Sequence, residues 1–416
     1  MATTFPALDQ PFAEGGIRTV NFFNGRLLTG SDMGREQAAR READARIGLA
    51  IGDGVAQGLE VSFAGRIAPN NRPAVRIEAG IAVNREGRTL RLPQPITIGL
   101  SRSAGTSPEA VPCLFDDCVD QTPGDHVAGQ GLYVLTIAPA FVSEGRAKTS
   151  GFDDKSARCN TDATVEAVQF RTIFVKPDLL AGASFAAPDF RNRVAYRAFG
   201  TGVTRAWPAD LLGSDPRGDD LLDLLGADLR ADEVPLALLA FTGSFDHLFT
   251  DVWSVRRPVC TRDSADIFAN LSEPRRTGVG RAMFRQFQDH IDLLGGGNGS
   301  LGPVTARSHF RWLPPAGILP WLNDAQVEAF FNGMKVRGPV HIDAASVEPL
   351  IRESFDMPAI ETGSEEAVWL YRIAQNRMDP TSPAETLVFA NGHLPYRADA
   401  RFDLNYWDYA NYALIL

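Results

Sequence analysis

The chain has 416 residues, 44% hydrophobic and 22% charged, with a net charge of −10. That length holds two or three domains with their own cores. The acidic balance argues against a nucleic-acid-coating protein, and no apolar run is long enough to cross a membrane as a helix. The first residues, Met1 to Pro6, have neither a basic nor an apolar region of the secretory type, so cytoplasmic synthesis is expected. With 38 Gly and 27 Pro the chain is expected to be rich in turns and short strands.

Residues 1–20 read as a polar arm. The segment Val20 to Thr29 then sets an aromatic pair, Phe22 and Phe23, before an Asn24-Gly25 turn. Arg26 and the apolar pair Leu27-Leu28 follow. Thr29 and Asp32 have capping-box spacing, with Ser31 as a competing cap. Asp32 to Ala50 is rich in Ala, Arg and Glu, which favour helix, and its many charges leave only a thin apolar stripe. Such a helix is solvated on most faces or lies in an assembly interface. Gly52-Asp53-Gly54 ends it.

Strand patterns follow at Gly58–Phe63 and Ala74–Ile77. Ile81–Val83 runs through a loop at 84–87 to Thr89–Leu92, and Pro93 and Pro95 demote the next stretch to a sheet edge. Residues 101–131 read as a long loop. Leu132–Ile137 and Phe170–Val175 alternate as strands, 208–230 as a broken helix, and Pro235–Phe241 as a buried strand with Asp251–Pro258 as its neighbour. Residues 277–294 form an amphipathic helix through Val279, Met283, Phe284, Phe287, Ile291 and Leu294. Gly295 to Ser300 is a linker. The expected fold is α+β, a β-rich multidomain chain. It divides into a docking arm, helix and small β module (1–100), a β-rich domain with long loops (101–262), a helical connector (263–300) and a C-terminal domain (301–416).

Chemistry is sparse in this sequence. Cys113, Cys118 and Cys159 do not have the paired spacing of a zinc ribbon and read as loop thiols, with Cys260 apart. The glycines at 295–299 are followed by no Gly-Lys-Ser/Thr, so a phosphate cradle gives way to a linker. His309 and His341 are scattered rather than set at metal-ligand spacing, and Asp153-Asp154 and Asp219-Asp220 have no calcium-loop ladder. No Gly-x-Ser-x-Gly elbow is present. No catalytic, metal or cofactor residues are expected. Two aromatic segments stand out. Phe310 to Trp321 holds Trp312, Pro314, Pro315 and Trp321, either as a packed loop or as an interface ridge. The chain end holds Tyr406, Trp407 and Tyr409, which either close their own domain or insert into a neighbour.

The ordered series Phe23–Thr29, Gly54–Val61, Ala79–Val83 with Gly87-Arg88, Val234–Leu238, Val255–Arg257 and Phe310–Pro320 resembles structural proteins encoded with phage tail-like contractile injection systems. That resemblance implies a non-enzymatic component near a baseplate or peripheral attachment. Its partners would be protein subunits and further copies of itself within a tail-like particle. The docking residues would be Phe22, Phe23, Asn24, Gly25, Arg26 and Leu27. A carbohydrate- or cell-surface-binding adhesin using Trp312, Trp321 and the terminal aromatics is the alternative, and a hydrolase with a carboxylate pair in 301–416 is a third.

Overall fold

The computed structural model describes residues 15–67, 71–101, 127, 129–145, 162–180, 182–200, 220–243, 246–260, 274–295, 301, 303–319, 324–373 and 387–391. Every structural statement refers to these. Among them are seven α-helices and sixteen strands, the β-rich α+β arrangement expected from the sequence.

Helix α1 (Gly30–Ile51) opens on the Thr29 cap: Thr29 Oγ1 accepts from the Asp32 amide, and the Asp32 carboxylate accepts from the Thr29 amide. Both halves of the capping box are made, so Thr29 rather than Ser31 is the N-cap. Gly52, at φ 103°, ends the helix in a conformation that favours glycine. Only Asp32, Ala39 and Gly48 of its 22 residues are buried.

Six short strands follow: β1 (Gly54–Gly58), β2 (Val61–Ile67), β3 (Arg72–Ile77), β4 (Gly80–Val83), β5 (Thr89–Leu92) and β6 (Ile96–Gly99). They make two three-stranded antiparallel sheets, β1-β4-β5 and β2-β3-β6. Strand β6, after Pro93 and Pro95, is an edge. The single strand expected at Gly58–Phe63 is instead two. Gly58 (φ 62°) and Leu59 (φ 59°) are both left-handed and turn the chain from one sheet into the other. Leu59 is fully buried, and that burial offsets its backbone strain.

The centre is a four-stranded antiparallel sheet, β10-β9-β7-β8, built from β7 (Gly131–Glu144), β8 (Ala163–Phe174), β9 (Val234–Phe241) and β10 (His247–Asp251). Alternation sends Tyr133, Leu135 and Ile137 into one core with Leu59, Val75, Ile77 and Leu90 of the small sheets. Leu132 and Val134 point the other way, into a core with α2 (Phe190–Phe199) and α3 (Leu221–Leu225). With both faces covered, β9 reads as an unbroken apolar run. The strand expected at Asp251–Pro258 ends where it was to begin. The Asp251 carboxylate accepts from the Ser254 amide at 3.0 Å and the Arg256 amide bonds Val252 O, so the chain turns there.

The C-terminal half holds α4 (Pro274–Leu294), α5 (Ala306–His309), β11 (Trp312–Leu313), β12 (Ala316–Leu319), α6 (Asp324–Phe330), β13 (Lys335–Ile342), α7 (Val347–Ser354), β14 (Ile360–Glu361), β15 (Ala367–Ile373) and β16 (Leu387–Asn391). Its main sheet runs β12-β16-β15-β13. Phe287 and Ile291 of α4 pack with Phe330 of α6 on the face bearing Val368, Leu370 and Phe389. Leu350 of α7 covers the opposite face, with Trp369 and Tyr371. Helix α4 also buries Ala282 and Met283 against Ala195, Tyr196 and Phe199 of α2, so it belongs to both halves.

The root of α1 is fixed by contact between two glycines. A Cβ on Gly48 would lie 1.9 Å from Gly87 O, and one on Gly87 would lie 1.9 Å from Ala45 O. Gly48→Val should therefore detach α1 from the β4–β5 hairpin at a cost of about 1–3 kcal/mol. Hydrogen exchange is expected to show lost protection in α1 while β7 and β9 keep theirs.

Candidate docking surface

The segment before α1 lies back along the helix. Arg46 donates to Gly15 O at 2.7 Å near one end, and Arg26 pairs with Asp32 at 2.7 Å near the other. These contacts bracket Val20 and Ala39, the buried residues of the arm and the mid-helix. At the far end Arg26 N donates to Phe23 O at 3.1 Å, with Gly25 at φ 91°. That is a type II turn, which favours glycine at its third position. Arg26 also donates to Asn21 O at 2.7 Å, so one guanidinium ties the turn to itself and to the helix start. Hydrogen bonds from the Thr29 side chain and amide, helped by Arg26, hold the Asp32 carboxyl below its ordinary range.

This bracing presents apolar side chains to solvent. Phe22 is 51% exposed, Phe23 64%, Leu27 86% and Leu28 55%. Asn24 and Gly25 are exposed between them, and Arg26 is half-buried. The turn thus carries a contiguous cluster of large exposed apolar side chains. The sequence pattern did not single out Met33, Ile47, Leu49 and Ile51, which are also exposed along α1. Their signal depends on which helix face the chain covers, and no local spacing shows that. A smaller exposed patch, Phe141, Val142 and Val165, lies where β7 and β8 run past the end of β9 as a two-stranded ribbon.

The aromatic-proline run behaves differently. Pro314 and Pro315 are buried and Trp312 is half-buried, so these three pack within the chain and do not form an outward ridge. Proline has no amide to leave unsatisfied, which lets the chain cross an apolar region between β11 and β12. Two carboxamides hold the crossing. Asn192 Oδ1 accepts from the Arg311 and Trp312 amides at 2.9 and 3.0 Å, and its Nδ2 donates to Trp312 O at 2.8 Å. Gln288 exchanges two 2.9 Å bonds with the backbone of Ile318. The Trp312 ring stacks against Tyr196, 6.4 Å between centroids, which occupies a face that a sugar would need. Trp321, Tyr406, Trp407 and Tyr409 lie outside the described residues, as do Cys113, Cys118, Cys159 and 296–300.

No family model matches the chain, and no curated protein matches it. Among solved structures it is similar to a chain of the type VI secretion system TssK-TssF-TssG baseplate subcomplex. The identity is 11%, over 83% of this chain and 82% of that one, with a TM-score of 0.26. A TM-score of that size carries no structural argument.

A buried polar cluster joins the two halves beneath the crossing. The Asp251 carboxylate accepts from Gln286 at 3.0 Å and faces Arg191 at 3.4 Å, all three being buried. His290, one turn along α4 from Gln286, packs on Phe310 with its Nδ1 unbonded. Burial, then the nearby Arg191 and His309, pushes His290 well below the ordinary 6.5. His247, against Phe63, is lowered to about 4, first by burial and then by Arg191. Among the described residues no group of three or more His, Cys, Asp or Glu is placed to hold a metal ion.

Two outcomes follow from this cluster. Asp251→Ala leaves Arg191 buried without its counter-charge and should cost about 3–5 kcal/mol in denaturant unfolding. Both histidines stay neutral in the folded chain but take up a proton near 6.5 when unfolded. Stability should thus be full above that value and fall as pH drops below it, to about 4 for His247 and further for His290. His290→Gln should show a smaller loss between neutral pH and about pH 5 than the parent chain, measured by urea midpoints.

Proposed function

We propose that this protein is a structural subunit of a contractile, phage tail-like injection particle, docking through its N-terminal arm at or near the baseplate. The carrying observation is the turn at Phe22–Leu28, whose four large apolar side chains are all more than half exposed while Arg26 and the Thr29–Asp32 box hold it rigid. A preorganised apolar tip loses little entropy on docking, and its guanidinium brace keeps it from collapsing onto its own helix. The ordered resemblance across Phe23–Pro320 supports the particle setting.

The joint of two carboxamides and the Asp251 cluster suits the same role. It fixes the C-terminal half against the arm-bearing half through directed hydrogen bonds, which a load-bearing part needs. The tip itself makes no contribution to that joint, so it can be altered without unfolding the chain.

Replacing Phe22, Phe23, Leu27 and Leu28 by Ser together should abolish co-purification with the particle's other subunits, while the unfolding midpoint stays within about 0.5 kcal/mol of the parent. Electron microscopy of particles assembled with the variant should show the position of this chain vacant. Normal incorporation of the variant would sink the proposal.

A further inference from the structure

Helix α1 carries a second surface that none of the described residues covers. Met33, Gln37, Arg40, Asp44, Ile47 and Ile51 follow one another at alternating steps of four and three residues, the rhythm of a coiled-coil seam. All six are exposed, with Met33 at 49%, Ile47 at 62% and Ile51 at 53%. At about 100° per residue they form one stripe along the helix. Asp32, Ala39 and Arg46 lie on one flank of it, toward the folded-back arm. Ala45 and Gly48 lie on the other, against the β4–β5 hairpin. The described residues thus occupy both flanks and leave the stripe between them open.

The spacing of the stripe reads the same when reversed. Turned end for end about a two-fold axis, it lays Met33 on Ile51 of a second copy, Gln37 on Ile47 and Arg40 on Asp44. Each pairing then recurs on the other side of the axis. Apolar side chains meet at both ends and opposite charges meet in the middle. A parallel pairing would instead set Arg40 on Arg40 and Asp44 on Asp44, which like-charge repulsion disfavours. Arg40 is free to swing across, since its side chain is 82% exposed and only approaches Glu36 at 4.0 Å.

We propose that α1 pairs antiparallel with α1 of a second copy of this chain, making a two-fold symmetric dimer. The seam shares no residue with the tip of the arm, so dimer formation and particle docking fail independently.

Sedimentation of the purified full chain at micromolar concentration tests it. The parent should run as a dimer, and Ile47→Glu with Ile51→Glu as a monomer of unchanged circular dichroism. Arg40→Asp should weaken the dimer about tenfold or more, and adding Asp44→Arg on the same chain should restore it. Met33→Cys combined with Ile51→Cys should oxidise to a covalent dimer, because within one helix the two lie roughly 27 Å apart. A parent that stays monomeric at high micromolar concentration overturns the proposal, as does a dimer indifferent to the glutamates. Failure of the charge reversal to restore pairing, or a covalent dimer from Met33→Cys alone, overturns the antiparallel register.

Discussion

The placement of α1 depends on a backbone-to-backbone approach between Gly48 and Gly87. Neither position has room for a Cβ, and each glycine meets the other element's main chain. Glycine inside a helix costs about 1 kcal/mol relative to alanine, so Gly48 weakens α1 locally while letting it sit directly on the hairpin. The rest of the helix stands off the β module, with one flank braced by the arm.

The hairpin is itself tied down. Asn84 Oδ1 accepts from the amides of Glu86 and Arg88, shaping the loop, while its Nδ2 donates to Asp232 O. Arg85 donates to the carbonyls of Leu229 and Arg230. Directed bonds therefore tie the segment before β9 to the hairpin, and the close glycine approach carries that placement on to the root of α1. The exposed tip is held on the start of α1 by Arg26, and the root of α1 sits on that anchored hairpin. On the other side of that sheet, Asp251, Arg191 and Gln286 do the corresponding job for the C-terminal half. Polar groups suit such a joint because an unmatched buried donor or charge is costly, so only one relative placement satisfies them.

Much of the local structure was legible. The Thr29–Asp32 box, the Asn24-Gly25 turn, the 84–87 hairpin and the amphipathic spacing of Phe287 and Ile291 are short-range signals, and each has its element in the structure. The left-handed Leu59 was hidden, because alternation of apolar and polar residues carries no information on φ. The end of β10 was hidden too, since the turn that Asp251 caps keeps the same alternation as a strand. Pro314 and Pro315 read as a packed loop or as an interface ridge until Asn192 and Gln288, far away in the chain, are seen to hold their neighbours.

The sequence by itself determined the N-cap of α1, the Asn24-Gly25 turn before it, most of the strands and the absence of familiar catalytic motifs. These rest on contacts within a few residues, which spacing and residue type express directly. Only the tertiary structure decided which apolar groups are spare. Phe22 and Leu27 are exposed while Leu59 and Phe310 are fully buried, although all four are equally apolar in the sequence. Exposure is what remains after every long-range contact has been made, and the contact that leaves α1 uncovered pairs glycines from separate elements.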